Sequence, residues 1–198
     1  MHTPPPRRPR PRDPSARVLW RHWLRLTAGH PVELTVHPAW PLTVLTVTWL
    51  LGRFVLPSLF PGWSTAAFWL VAAWLAMADS LAGLLHELGH ALVAVAHGRR
   101  VYCISLYPFA AAARRTSGHD AHEQLLIALA GPASHLLLAA VFWAIWRLLP
   151  MDNAPLRVAV GFPAITNLLV GVLNLLPIRP LDGGRALRAL LVMGLLPR

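Results

Sequence analysis

Four long apolar stretches dominate the pattern of hydrophobic and polar positions along the chain. They cover residues 38–57, 64–96, 124–146 and 158–177. A helix of about 20 residues crosses the hydrocarbon core of a bilayer, which is roughly 30 Å thick. The pattern therefore predicts an all-α membrane protein, a bundle of about four transmembrane helices. The second stretch is longer than a span requires, so we expect its helix either to project beyond the bilayer or to bend near Gly83.

The segments around these stretches differ in character. Residues 1–16 combine proline with arginine, which opposes helix formation and adds charge repulsion, so a disordered cytoplasmic tail is predicted there. Residues 17–198 form the predicted transmembrane domain, in which 17–36 lies at the membrane interface. The segment 100–113, between spans two and three, favours extended structure and predicts a short strand or hairpin against the membrane face. A last apolar segment, 186–196, is too short to span and is expected at the interface or packed on the bundle.

Composition supports this picture and excludes several classes of protein. Charged residues make up only 13% of the chain and hydrophobic residues 56%, whereas a soluble domain carries about 25% charged residues. The single cysteine, Cys103, excludes an internal disulfide framework. The net charge is +10, but seven arginines precede the first apolar stretch. That placement suits an anionic lipid surface, and no nucleic-acid partner is predicted.

The distribution of arginine predicts the orientation in the membrane. The N-terminal tail, the 97–123 loop and the C-terminal segment carry most of the arginines, whereas the 58–63 loop carries none. Cytoplasmic loops of membrane proteins are enriched in basic residues. We therefore expect a multi-pass protein of the cell membrane with both termini in the cytoplasm.

The second apolar stretch contains the sequence His86-Glu87-Leu88-Gly89-His90. On a helix, positions i and i+4 share a face, so both imidazoles can bind one Zn²⁺ at about 2.0–2.1 Å. Glu87 lies between them and can act as a general base toward water. Ionisable groups inside a span are costly and usually mark function. The alternative is that both histidines form hydrogen bonds between helices, which leaves the adjacent glutamate unexplained.

A catalytic zinc site usually has three protein ligands, and the third must come from elsewhere in the chain. Asp182 follows the fourth stretch, between two prolines and two glycines that interrupt the helical pattern. Such an interruption can aim the carboxylate back into the bundle. Equally, Asp182 can cap a helix or form an interfacial turn, since Asp-Gly is a common turn signal. The residues alone leave these two interpretations about even.

Taken together, the two motifs are more specific than either one. HELGH within a span, followed by N-x-x-P-x-x-P-L-D-G-G-R, resembles the site-2 protease family of intramembrane zinc metalloproteases. The similarity extends over about 29–196 and includes the SLYPF loop and the Ala-Gly-Pro of the third stretch.

The resemblance implies a site and an activity. It implies one zinc ion per chain, bound by His86, His90 and Asp182, with Glu87 as the catalytic base. It also implies cleavage of the transmembrane segment of a membrane-tethered substrate, such as an anti-sigma factor or a similar regulator. On this interpretation, segment 100–109 holds the unwound substrate by strand addition.

Two positions depart from the family pattern. Ala110-Ala111 stands where the family often has Gly-Gly, and His135 stands where it often has asparagine. His135 can replace the asparagine as a hydrogen-bond donor, compete for the metal, or form an interhelical hydrogen bond, which we favour. Asn174 is a candidate for contacting the substrate or the oxyanion, with a helix-capping role as the alternative.

Two other functions fit parts of the pattern. One is a catalytically inactive membrane scaffold of the same fold, and the other is a metal-binding transporter or sensor that uses His86, His90 and Asp182. The leading hypothesis is a zinc-dependent intramembrane endopeptidase. Asp79 shares the helix face of His86 but lies about two turns away, too far to touch the metal, and is expected to make a polar contact in the outer leaflet.

Overall fold

The computed structural model describes residues 24–25, 33–107, 110–115 and 120–195. The tail predicted over 1–16 lies outside these described residues. The strands are β1 (Leu24–Arg25), β2 (Glu33–Val36), β3 (Val101–Tyr107) and β4 (Ala110–Arg115). The helices are α1 (Trp40–Leu50), α2 (Leu56–Leu59), α3 (Thr65–Ala96), α4 (Ala121–Leu148), α5 (Ala154–Asn174) and α6 (Asp182–Leu195), with one π-helical segment, Leu51–Val55, joining α1 to α2.

The prediction of a bundle of about four transmembrane helices is confirmed. Within the described residues, four helical segments are long and apolar enough to cross a membrane: Trp40–Leu59, Thr65–Ala96, Ala121–Leu148 and Ala154–Asn174. The helix α3 continues without interruption through Gly83 for 32 residues, which gives a length of about 48 Å. Of the two expectations for this stretch, the helix therefore has no break near Gly83.

Polar side chains define where three of these helices begin. Ser64 accepts a hydrogen bond from the backbone N–H of Ala67 ahead of α3, and Asn153 accepts one from the backbone N–H of Leu156 at the start of α5. Asp120 caps α4 in the same way. Each cap satisfies a backbone donor that has no partner inside its own helix. These caps fix the connections on which the relative positions of the spans depend.

The strands form one sheet in the order β1-β2-β3-β4. The hairpin predicted between spans two and three is confirmed as β3 and β4, which pair antiparallel. The strand β2 was not predicted; it joins β3 in parallel register, with Leu34 opposite Ile104. A strand of four residues is too short to show an alternating pattern, and its partner lies about 70 residues away along the chain. Long-range pairing of this kind leaves no local signal.

This sheet corrects one expectation about substrate binding. The strand β3 is hydrogen-bonded to β2 on one side and to β4 on the other, so its backbone is not available for the strand addition expected of segment 100–109. The N-terminal segment supplies the strand that occupies this position. Within the described residues, the outer edge of the sheet on the hairpin side is β4. An added strand on the hairpin side of the sheet therefore pairs with β4.

Small residues let the helices around the HELGH segment approach closely. A Cβ atom on Gly89 of α3 would come 2.8 Å from the carbonyl oxygen of Ala130 on α4. Interfaces between membrane helices are enriched in small residues for this reason. A cluster of buried apolar side chains then connects α3, β3 and α4, and so places the sheet beside the C-terminal part of α3. Its members are Ala91, Ala94, Val101, Ile104 and Ile127.

An ion pair stabilises the connection between α3 and α4. Arg99 donates from Nε to Oε1 of Glu123 and from Nη2 to Oε2, both at 2.5 Å. Glu123 is 4% exposed, so this carboxylate depends on Arg99 for compensation of its buried charge. The side-chain hydrogen bond to Glu123 raises the pKa of Arg99 above its ordinary value. This two-bond contact fixes the start of α4 against the end of α3.

Candidate metal centre

Three predicted ligand atoms converge inside the bundle. Oδ2 of Asp182 lies 3.0 Å from Nε2 of His86 and 3.1 Å from Nε2 of His90. The two imidazole nitrogens are themselves 3.1 Å apart. The three atoms thus form a nearly equilateral triangle. The structure brings together side chains that are 92 and 96 residues apart along the chain.

Helix α3 positions the two histidines. His86 and His90 are one turn apart on the same face of an unbroken helix, which places their side chains next to each other. His90 is 1% exposed and His86 8% exposed. Their rings meet edge to face, with centroids 4.7 Å apart. Burial at this level of a span removes water that would otherwise compete for the ring nitrogens.

A turn between α5 and α6 positions Asp182. The prolines at 177 and 180 interrupt the helical pattern, and the Arg179–Pro180 peptide bond is cis. The carbonyl oxygen of Ile178 accepts from the N–H of Leu181 at 2.9 Å, after which α6 begins at Asp182. Asp182 thus opens a helix, as one interpretation of the sequence held, and its side chain also points into the bundle, as the other held.

The two glycines after Asp182 are needed because a side chain would not fit there, not because of their backbone angles. A Cβ atom on Gly183 would collide with the backbone carbonyl of Leu175, and one on Gly184 would lie 2.7 Å from the carbonyl oxygen of Ile178. Among the described glycines, only Gly98 has a positive φ. The two glycines at this turn are therefore not needed for a positive φ. The absence of side chains here allows α6 to start directly against the end of α5.

Other groups orient two of the three donors. Nδ1 of His90 donates to the carbonyl oxygen of Ile127 at 2.5 Å, which leaves the Nε2 lone pair directed toward Asp182 and His86. Oδ1 of Asp182 accepts from Nη1 of Arg185 at 3.0 Å. Such partners on the far side of a ligand are typical of metal sites. Within the described residues, Nδ1 of His86 is buried without a hydrogen-bond partner.

Gly131 on α4 makes room for the imidazoles. A Cβ atom at this position would collide with Nε2 of His90 and approach Nε2 of His86 within 2.6 Å. This role of Gly131 was not predicted from the sequence, in which Ala-Gly-Pro was noted only as part of the family resemblance. The available signal was a glycine directly before Pro132 inside an apolar stretch, a position at which a helix otherwise gains nothing from glycine. Gly131 thus leaves the space that the two imidazoles occupy.

Glu87 lies close to the histidines but outside the triangle. It is half-buried, and one of its carboxylate oxygens lies within 4.8 Å of donor nitrogens of His86 and His90. Two carboxylates therefore compete as the third ligand. Asp182 fits better, because its oxygen is 3.0–3.1 Å from both nitrogens. Glu87 thus lies next to the donors without being needed as the third ligand.

The donor set fits zinc. Two imidazole nitrogens and one carboxylate oxygen form the ligand type of many catalytic zinc sites, and ligand atoms around tetrahedral zinc are about 3.3 Å apart. The triangle observed here is only slightly smaller. Burial disfavours the charge on Asp182, but the neighbouring imidazoles of His86 and His90 outweigh it and hold the pKa of the carboxyl below its usual range. Asp182 is therefore an anionic donor at neutral pH.

The two further candidate residues make other contacts. Nδ1 of His135 donates to Oδ1 of Asn167 at 2.7 Å, which is a hydrogen bond between α4 and α5. The His135 ring also lies 5.0 Å from the ring of His86. Nδ2 of Asn174 donates to the carbonyl oxygen of Val170 within α5. Asn167, which is 4% exposed, was not singled out from the sequence because a lone amide in a span has no spacing pattern.

Comparisons with known proteins relate this chain to zinc metalloproteases. The sequence profile described as peptidase family M50 matches residues 151–195. Zinc metalloprotease Rip3 of Mycobacterium tuberculosis is 35% identical over 168 residues, which cover 82% of this chain and 42% of that protein. Zinc metalloprotease sll0528 of Synechocystis is 31% identical over 168 residues, covering 84% and 44%. The chain thus spans less than half the length of these curated relatives.

The fold has a counterpart among solved structures. The site-2 protease from Methanocaldococcus jannaschii superimposes with a TM-score of 0.60 at 24% identity, covering 87% of this chain and 73% of that one. The resemblance drawn from the two sequence motifs is confirmed by this shared fold and by the similarity to the zinc metalloproteases. The chain is thus similar to peptidase family M50 and to zinc metalloproteases, and it shares the fold of a site-2 protease.

Proposed function

We propose that this protein is a zinc-dependent intramembrane endopeptidase, which hydrolyses a peptide bond in the transmembrane segment of a membrane-tethered substrate. The observation that carries the proposal is the triangle of Nε2 of His86, Nε2 of His90 and Oδ2 of Asp182, with sides of 3.0–3.1 Å. Placing such polar and ionisable side chains inside a membrane span costs free energy, so their presence there indicates a function.

Each residue has a role that its position supports. His86, His90 and Asp182 would hold the zinc ion, which when bound supplies Lewis acidity toward a peptide carbonyl. Glu87 accepts a proton from the attacking water and then donates it to the nitrogen of the leaving amine. Its place between the histidines on one helical turn keeps its carboxylate within reach of that water.

The substrate has to unwind before it is cleaved, because a helical backbone already uses its carbonyl groups in hydrogen bonds. The outer edge of the sheet at β4 (Ala110–Arg115) supports capture of the unwound segment by strand addition. Backbone hydrogen bonds to this edge hold an extended chain without depending on its side chains. Asn174, at the end of α5, is a further candidate for contacting the substrate or the oxyanion.

His135 is proposed to position α5 rather than to bind metal. Its Nδ1 is engaged by Asn167, and a histidine that donates to an amide oxygen is held in a fixed orientation next to His86. The histidine at the position of the family's common asparagine therefore supplies a hydrogen bond across the bundle. The expected substrates are membrane-tethered regulators such as anti-sigma factors, and the expected orientation has both termini in the cytoplasm.

The substitution Glu87→Gln tests the proposal. The full chain is reconstituted with zinc in nanodiscs and incubated with a panel of fluorescent single-span peptides, and cleavage is followed by mass spectrometry. We expect the wild-type protein to cleave and Glu87→Gln to lose at least about 100-fold in rate, because the general base is gone. Zinc content should be unchanged, since Glu87 lies outside the donor triangle.

The matched control is Asp152→Asn, which removes an exposed carboxylate from the turn before α5 and should cleave like the wild-type protein. Equal cleavage by Glu87→Gln would exclude this residue as the base. Zinc-loaded protein that cleaves no member of the panel would instead favour an inactive scaffold. Zinc flux across proteoliposomes that persists in Glu87→Gln would favour a metal transporter.

A further inference from the structure

Asp79 occupies an unexpected position on α3. The helix face that carries both histidines also carries Leu75 and Ala82, and these four residues are each at most 8% exposed. Asp79 lies seven residues before His86, which at 100° per residue puts it within about 20° of the middle of this face. Nevertheless, Asp79 is exposed. An exposed residue between buried neighbours on one helix face indicates an opening in the packing at that residue.

The space around Asp79 supports this interpretation. One turn further along α3, a Cβ atom added to Gly83 would meet no atom within 4 Å. His86 follows Asp79 by seven residues on the same face of α3. The open space at Asp79 and Gly83 therefore lies on the side of α3 that carries the candidate metal centre. Seven residues of helix correspond to about 10 Å along the axis.

The carboxylate of Asp79 has no directly bonded partner in the part of the chain that the structure describes. It makes no hydrogen bond or ion pair there, and the polar contact expected from the sequence is not found among the described residues. It lies near the middle of a 32-residue span, where an ionised carboxylate is costly unless it meets water or a positive partner. A group in this situation favours a ligand that brings a cation or strong donor into the opening.

We propose that Asp79 is a specificity-determining residue, which pairs with a basic side chain of the substrate's transmembrane segment. The inference rests on the proposed function, because it places a peptide in the opening next to the centre. An extended chain advances about 3.3 Å per residue, so a distance of about 10 Å corresponds to about three residues. The preferred substrates then carry lysine or arginine about three residues from the scissile bond. A lysine or arginine in the substrate's span is itself costly in a membrane, and pairing with Asp79 offsets that cost. A purely apolar span gains nothing from Asp79 and is therefore bound less tightly.

Binding rather than cleavage tests this proposal. The Glu87→Gln protein, loaded with zinc in nanodiscs, is titrated with fluorescent single-span peptides in which one lysine is moved along an otherwise apolar sequence. We expect one lysine position to bind at least about ten-fold more tightly than the all-apolar parent, as a charge pair shielded from water would. In the double variant with Asp79→Asn this peak should disappear, and in that with Asp79→Arg it should move to a peptide with glutamate at the same position.

If Asp79→Arg binds the glutamate peptide in place of the lysine peptide, Asp79 contacts the substrate, because a merely structural role would not reverse the charge preference. Asp152→Asn is the matched control and should keep the lysine peak, because its carboxylate lies in an exposed turn. A binding profile that is flat, or that keeps its peak in Asp79→Asn, would overturn the proposal. Neither result bears on hydrolysis, which is measured separately in protein that retains Glu87.

Discussion

The two segments that supply the candidate metal centre are built in different ways. His86 and His90 lie one turn apart on the continuous helix α3, so local helical geometry alone brings their side chains together. Asp182 lies at the start of α6, after a turn with two prolines, and its position depends on how tightly α6 packs against the end of α5. The first segment is therefore robust, and the second is sensitive to any change in packing.

The difference shows how a buried centre can be assembled without strain in its main helix. The histidine pair leaves the hydrogen bonds of α3 intact, and the adaptation is made at Gly131 on α4 and at Gly183 in the turn. The rigid helix thus fixes two corners of the triangle, and the turn adjusts the third. Substitutions in the two segments should consequently affect zinc binding to different degrees.

Removal of a donor is the strongest way to break the centre. We expect His90→Ala and Asp182→Ala to contain less than about a tenth of the zinc of the wild-type protein, because two remaining ligands do not hold a catalytic zinc. Zinc per chain is measured by plasma mass spectrometry on protein purified in detergent. His97→Ala, which removes an exposed histidine just after α3, should keep full zinc content. Normal zinc in both donor variants would show that the triangle is not the site.

The sequence predicted the bundle well because a membrane span is a local property. Each apolar stretch carries its own signal of length and hydropathy, and predicted boundaries such as 64–96 differ from the observed Thr65–Ala96 by a single residue. The strand β2 was missed because only four residues form it and the pairing partner, β3, is remote in the chain. Its absence from the prediction led to the incorrect expectation that β3 itself has a free edge.

The candidate centre also has one part that local sequence predicts and one part that depends on long-range packing. The spacing of His86 and His90 already implied that they meet, whereas the residues alone left the side-chain direction of Asp182 open between the bundle and a helix cap. The family resemblance, not the spacing, favoured the bundle. The contribution of Gly131 escaped prediction because the role of a missing side chain becomes visible only when the neighbouring helix is in place.

A methyl group added at the turn should weaken the third corner without removing a donor. In Gly183→Ala the new Cβ collides with the backbone carbonyl of Leu175, so α6 must move and carry Asp182 away from the histidines. Overpacking of this kind costs about 1–3 kcal/mol, and we expect zinc affinity to fall by about ten-fold or more in competition with a chelator. Gly194→Ala is the matched control, since a Cβ there meets nothing within 4 Å. Equal affinities in the two variants would contradict a turn held in place by close packing.

The smallest effect is expected from the residue that orients Asp182 from its far side. Arg185 donates to Oδ1 of Asp182 at 3.0 Å, but its side chain is 59% exposed, so solvent screens the interaction. The substitution Arg185→Gln should therefore lower zinc affinity only a few-fold, less than Gly183→Ala, while Arg188→Gln on the same helix changes nothing. Chelator competition at low and high salt separates the two contributions of Arg185. If the loss shrinks at high salt, it comes from charge; a loss that does not depend on salt would mean that Arg185 acts by fixing the orientation of the carboxylate.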